Sequence, residues 1–299
     1  MRERYLLRLG NDQGWEFVAT EGAGPWVESL ASIMELKVCE PNGCPKLFFV
    51  RTESGMDWWQ GPSLRFPRSM ARDLPRKGWM AYDLRPLQLW AHPDVPDVIC
   101  EIGDEGNHEM NIIRMWQSLF PVYNRAMDYG GLPLHAALVE RNGTGVLLAA
   151  PGGTGKSTCC RRIPPPWKAL CDDLTVAVAD TDMQYRVHPF PTWSDHLWRR
   201  SEPTWDVQRH LPLSAIVFLE QGTTDEAIPI GKGKAAACIM ESASQVCQAF
   251  WRDLALGEKR GLKEKVFDNA CELARSIPVF KLRVSLDGKF WEEMERTLF

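Results

Sequence analysis

Nine residues constrain this chain more than any others: "APGGTGKST", positions 150 to 158. The apolar run "TGVLLAA" (144 to 150) leads into them, and "KSTCCRRI" leaves them with helical character. A strand that enters a glycine turn and departs as a helix is the setting of the phosphate-cradling pattern Gly-x-x-x-x-Gly-Lys-[Ser/Thr]. Ala150 stands where that pattern opens on glycine, and Gly155, Lys156 and Ser157 complete it. Alanine there matters only if the backbone needs a positive φ. Glycines at 152, 153 and 155 let the chain curl its N–H groups inward, and a helix start adds the positive end of its dipole. Gly152, Gly153, Thr154, Gly155, Lys156, Ser157 and Thr158 are the expected nucleotide-binding residues, for ATP or GTP. Lys156 is expected at the β and γ phosphates and the Ser157 hydroxyl on Mg²⁺.

Two further segments belong with the loop. "WKALCDDLTVAV" places Asp172 and Asp173 near a strand end, where a parallel sheet delivers polar groups into the crevice at its carboxyl edge. One carboxylate suits Mg²⁺ and the other suits a proton taken from an attacking hydroxyl, while a plain Asp-Asp turn is the structural alternative. Upstream, His135 is expected to begin a strand that hairpins through Asn142-Gly143 into the strand feeding the loop, which would put the imidazole near the phosphate end.

In their order, histidine strand, short hairpin, glycine loop and Asp-Asp segment, residues 134 to 178 resemble the catalytic domain of the HPr kinase/phosphorylase family. The resemblance implies an α/β fold: a P-loop kinase core akin to HPr kinase and phosphoenolpyruvate carboxykinase, preceded here by a smaller α+β N-terminal domain. It also implies ATP-dependent phosphorylation of a serine or threonine hydroxyl on a protein or peptide. Carried over residue by residue, it gives Asp172 as the base, Asp173 as a magnesium-side carboxylate and His135 as a phosphate-side catalytic partner; the two aspartate roles could be exchanged. Gly152 replaces a serine of the family's loop, which argues against phosphorolysis. Arg199 and Arg200 are the candidates for the γ-phosphate arginine. The chain is more similar still to the shorter HPr kinase-like proteins of ribosomal peptide modification systems, some of which phosphorylate a precursor peptide. A small-molecule hydroxyl kinase and a non-catalytic nucleotide-binding module that recruits a peptide remain alternative readings.

The rest of the chain sets the frame. With 35 Lys and Arg against 39 Asp and Glu, the net charge of -4 offers no basic footprint for nucleic acid. The start "MRERYLLRLGNDQGWEF" has neither a secretory nor a membrane-spanning apolar run, so a cytoplasmic protein with no membrane partner is expected. Nine cysteines fit reduced thiols; Cys39 and Cys44 lack a second pair for a structural zinc site, and Cys159 and Cys160 are expected to pack against the sheet. Residues 3 to 19 read as a strand pair, "GPWVESLASIMELK" as an amphipathic helix, "KLFFVRT" as a strand and residues 108 to 130 as a helix bent at Pro121. A domain boundary is expected near residue 110: 1–110 as the N-terminal domain that recognises the acceptor, through strand edges such as that of "KLFFVRT", and 111–299 as the catalytic domain. Trp193, Trp198 and Trp205 offer an aromatic wall or, alternatively, edge packing. A homo-oligomer is compatible with all of this.

Overall fold

This computed structural model describes residues 3–20, 22–51, 74–75, 77–84, 87–103, 107–182, 184–198, 202–252 and 254–298. The protein is mixed α/β, with two mixed sheets in two compact units. Unit 1 holds residues up to 8, then 13–122 and 193–204; unit 2 holds 9–12, 123–192 and 205 onward.

Unit 1 contains β1 (Arg4–Arg8), β2 (Gly14–Ala19), α1 (Gly24–Ile33), β3 (Lys37–Val38), β4 (Lys46–Arg51), β5 (Met80–Asp83), β6 (Leu87–His92), β7 (Val95–Ile102) and α2 (His108–Ser118). The short α5 (Trp193–Leu197) also belongs to it. Its sheet runs β3-β1-β2-β4-β7-β6-β5, with β2, β4 and β7 parallel at the centre. Pro25 opens α1, and the apolar stripe Trp26, Val27, Leu30 and Ala31 turns onto the sheet, where the Trp26 ring lies 5.3 Å from Phe49. The expected strand "KLFFVRT" forms as β4, but paired on both sides it presents no edge to a peptide. Its run of four buried residues marks an interior strand rather than an edge.

The helix expected over 108 to 130 is two helices, α2 and α3 (Phe120–Asp128), broken at Leu119 with Pro121 in the first turn of the second, where a missing N–H costs nothing. Unit 2 continues with β8 (Leu132–Leu134), β9 (Ala136–Arg141), β10 (Thr144–Ala149), α4 (Lys156–Arg162), β11 (Lys168–Cys171), β12 (Leu174–Ala179) and β13 (Tyr185–Phe190). After unit 1's α5 come β14 (Leu211–Gln221), β15 (Glu226–Pro229), α6 (Lys232–Trp251), α7 (Leu256–Ser276), β16 (Val279–Val284) and α8 (Phe290–Leu298). The sheet runs β11-β9-β10-β14-β13-β12-β8, with β16 on β14 and β15 on β16. Asn142 (φ 52) and Gly143 (φ 77) make the two-residue hairpin between β9 and β10, as their types demand. Alternate residues Ala137, Val139, Val146, Leu148, Ala215 and Val217 turn to one face, where Cys159 of α4 and Phe290 and Met294 of α8 close a core. Among the described residues no helix is long and apolar enough to cross a membrane.

Candidate functional site

Strand direction assembles this site. β9 runs antiparallel to both β10 and β11, so the beginning of β9 and the ends of β10 and β11 share one edge of the sheet. His135, the glycine loop and the Asp172-Asp173 turn occupy those three places. His135 does not begin a strand as expected: it is the bend between β8 and β9, because β8 pairs with β12 while β9 pairs with β10 and β11. The aspartates likewise form the turn between β11 and β12, flanked by antiparallel pairings rather than by a parallel sheet. They reach the loop's edge all the same, since β11 runs in the direction of β10.

Ala150 is not among the positive-φ residues, and its side chain is packed into the core beneath the loop. The backbone curls at Gly153 (φ 77) and Gly155 (φ 115), conformations that favour glycine, and Gly155 caps α4 without a side-chain hydrogen bond. A Cβ on Gly152, Gly153 or Gly155 would meet nothing within 4 Å. Gly152 needs neither positive φ nor space, so its identity is not imposed by the backbone. Thr154, Ser157 and Thr158 are half-buried around the curl, and Thr158 accepts from Arg161 at 3.4 Å.

Lys156 is 6% exposed. Its Nζ donates to the Ala150 carbonyl at 2.8 Å and lies 3.0 Å from His135 Nε2. The same Nε2 is 2.9 Å from Asp173 Oδ1. One ring nitrogen cannot serve both neighbours at once: as N–H it donates to Asp173, as a lone pair it accepts from Lys156. On the other side of the ring, Nδ1 meets Gln245 Oε1. The backbone of His135 is fixed as well, its N–H donating to the Ser242 carbonyl at 3.3 Å and its carbonyl accepting from Ser242 Oγ at 3.2 Å. Asp172 turns the other way and accepts from Thr192 Oγ1 at 2.6 Å.

These contacts set the charges. Burial pushes the Lys156 ammonium below its ordinary value, and Asp173 and Asp172 oppose that shift. Burial alone would raise the Asp173 carboxyl, but the hydrogen bond and charge of His135 and the charge of Lys156 outweigh it and hold the group below the usual carboxylate value. Burial raises the Cys159 thiol to about 11 and pushes Cys160 up further, so neither is a ready nucleophile. Among the described residues no group of three or more His, Cys, Asp or Glu side chains could hold a metal alone. A magnesium ion, which keeps several waters and needs one or two carboxylates, is compatible with Asp173 and Ser157 provided that His135 gives way.

The expected residues Lys156, His135, Asp173 and Asp172 are thus neighbours in the fold. Arg199 and Arg200 lie outside the described residues. Of the two readings for the tryptophans, packing holds for Trp193 and Trp205, which are buried, while Trp198 is 61% exposed. Three residues escaped the sequence reading. Thr192 follows Pro191 with no motif around it, and Ser242 and Gln245 lie three positions apart on α6, as an ordinary polar face would.

No curated protein matches the chain. The model of the family described as SynChlorMet cassette protein ScmC matches residues 98–299, from within β7 through all of the site, and the chain therefore belongs to the ScmC family of SynChlorMet cassette proteins.

Proposed function

We propose that this chain is an ATP-dependent kinase that transfers the γ-phosphoryl group to a serine or threonine hydroxyl of a protein or precursor peptide, on a P-loop core like that of HPr kinase. One observation carries the reading: three separate segments converge at one sheet edge, putting a buried lysine, a histidine and a carboxylate within 3.0 Å steps of one another beside a curled glycine loop. A buried lysine beside such a loop is a point charge suited to terminal phosphates. The family's name fits a protein that works beside other modification proteins, and GTP in place of ATP fits the loop equally well.

Mg²⁺ with the nucleotide, when bound, would supply the transferable group and spread its charge. The chain's own residues do the rest. Lys156 exchanges Ala150 and His135 for phosphate oxygens. Asp173, held ionised, suits the cation side together with Ser157, while Asp172 suits the hydroxyl's proton. His135 stands between Lys156 and Asp173 and can hold either in place. Gly152 brings no hydroxyl to a second anion, so phosphorolysis is not part of the proposal.

The test is Lys156→Ala. Calorimetric titration should find Mg-ATP affinity lowered by at least about tenfold, the scale of losing a charged phosphate contact, with the melting temperature kept. A folded variant that binds Mg-ATP like the parent removes the proposal.

A further inference from the structure

We infer that Thr192 is the residue that positions Asp172 for proton transfer, an inference that rests on the kinase reading above. The β12–β13 ladder pairs Leu174 with Phe190 and Thr175 with Pro189. Asp172 lies in the turn that precedes Leu174, and Thr192 follows two residues after Phe190. The carboxylate and the hydroxyl meet just past the end of that ladder, joined by a hydrogen bond of their own. Thr192 is 4% exposed, so water does not compete for its proton, and Pro191 before it restricts the backbone. Its Oγ1 to Asp172 Oδ1 distance of 2.6 Å is that of a hydroxyl donating to a carboxylate.

The consequence is an assignment by atom. Thr192 fixes Oδ1, and Oδ2 is left to receive the acceptor's proton. In the transfer, the acceptor oxygen forms its bond to the γ phosphorus, its proton moves to Asp172 Oδ2, and the bond from phosphorus to the bridging oxygen breaks with its electrons leaving on ADP. Without the Thr192 hydroxyl the carboxylate turns freely about its last torsion and presents Oδ2 only part of the time. Asp173 is held by a different clamp, the His135 ring that Gln245 and Ser242 fix from α6. The two adjacent carboxylates are thus anchored to different elements.

The experiment compares full-length wild type, Thr192→Val and Thr192→Ser by melting temperature, Mg-ATP affinity, and kcat and KM for transfer from Mg-ATP to water and to a mixed pool of serine and threonine peptides. Valine keeps the shape and the strand preference and removes only the donor. We expect it to lower kcat by about ten- to a hundredfold, the usual loss when a supporting hydrogen bond to a working group is removed, with KM for Mg-ATP and Mg-ATP affinity within about threefold of wild type. Serine should return kcat to within about threefold, which a packing role for the threonine methyl would not allow. A wild type that turns over while Thr192→Val keeps its kcat, or while Thr192→Ser is as slow as valine, overturns the role of Thr192 alone. If Thr192→Val fails to fold, a slow Thr192→Ser decides against the inference and a fast one for it. A wild type that binds Mg-ATP and transfers to neither water nor peptide overturns the kinase reading, and this inference with it.

Discussion

Lys156 is a cation withdrawn from water at the centre of a small charge network, and its neighbours divide the work between them. Asp173 already opposes the loss of charge on Lys156 and is itself held below the ordinary carboxylate value, which makes it a poor proton acceptor and a good cation ligand. Asp172 accepts instead from the neutral Thr192 hydroxyl, and the proposed reaction gives it the acceptor's proton. The substitutions should separate accordingly. Asp173→Asn should raise the Mg²⁺ concentration needed for half-maximal turnover, whereas Asp172→Asn should cut turnover about a hundredfold with nucleotide affinity nearly unchanged. Magnesium titrations of both variants check this, and the opposite pattern would mean that the two roles are exchanged. Lys156, His135 and the aspartates were legible in the sequence because each sits in a short motif whose order along the chain carries meaning. Thr192, Ser242 and Gln245 were not, because each owes its position to a strand register or a helix face that becomes visible only when distant segments pair.

At the scale of elements, the sheet of unit 2 explains both the site and a weakness of the fold. β13 carries His188, whose Nδ1 is bonded to the Val207 carbonyl at 2.8 Å while Nε2 accepts from the Gly10 N–H at 2.9 Å. Both ring nitrogens are committed to one neutral tautomer. Burial is the main cause that pushes the imidazole down to about 4, with His210 and Arg186 adding to it against the Val207 bond. As pH falls, the unfolded chain takes up the proton before the native one does. The stabilisation is therefore intact above about 6.5 and is lost progressively toward 4, by a few kcal/mol at most. Thermal melts of wild type and His188→Gln across pH 8 to 4 should converge as the pH drops; a constant gap between them would show that His188 stays paired when charged. The strands, the hairpin at Asn142-Gly143 and the glycine turn follow from local residue types, and the sequence reading found them. The interior place of β4, the bend at His135 and the antiparallel flanks of Asp172-Asp173 depend on which strand pairs with which, and local pattern does not encode that.

At the scale of the whole molecule, the two units are not two consecutive stretches of sequence. The chain passes from one to the other after residues 8, 12, 122, 192 and 204. Gly10 at the tip of the β1–β2 hairpin belongs to unit 2 through its bond to His188, and α5, from the middle of the second half, belongs to unit 1, where it lies against α2. A cut at residue 110 would remove β1 to β7, among them β6, which packs against α2, and it would leave Nε2 of a buried histidine without its donor. Losing that one donor costs about 1 to 3 kcal/mol, and the lost packing of β6 on α2 adds to it. For a domain of this size, a chain of residues 111–299 should therefore melt at least about 5 °C below the full chain. Its Mg-ATP affinity should stay within a few-fold where it is folded, since the glycine loop, His135, both aspartates and Thr192 all lie in unit 2. Scanning fluorimetry with and without Mg-ATP measures both quantities together, because ligand binding raises the melting temperature only of a chain that retains its site. Equal melting of the short and full chains would show that the segments exchanged between the units add nothing to stability. A folded short chain that no longer responds to Mg-ATP would show that nucleotide binding draws on unit 1, contrary to the site proposed at the edge of β9, β10 and β11.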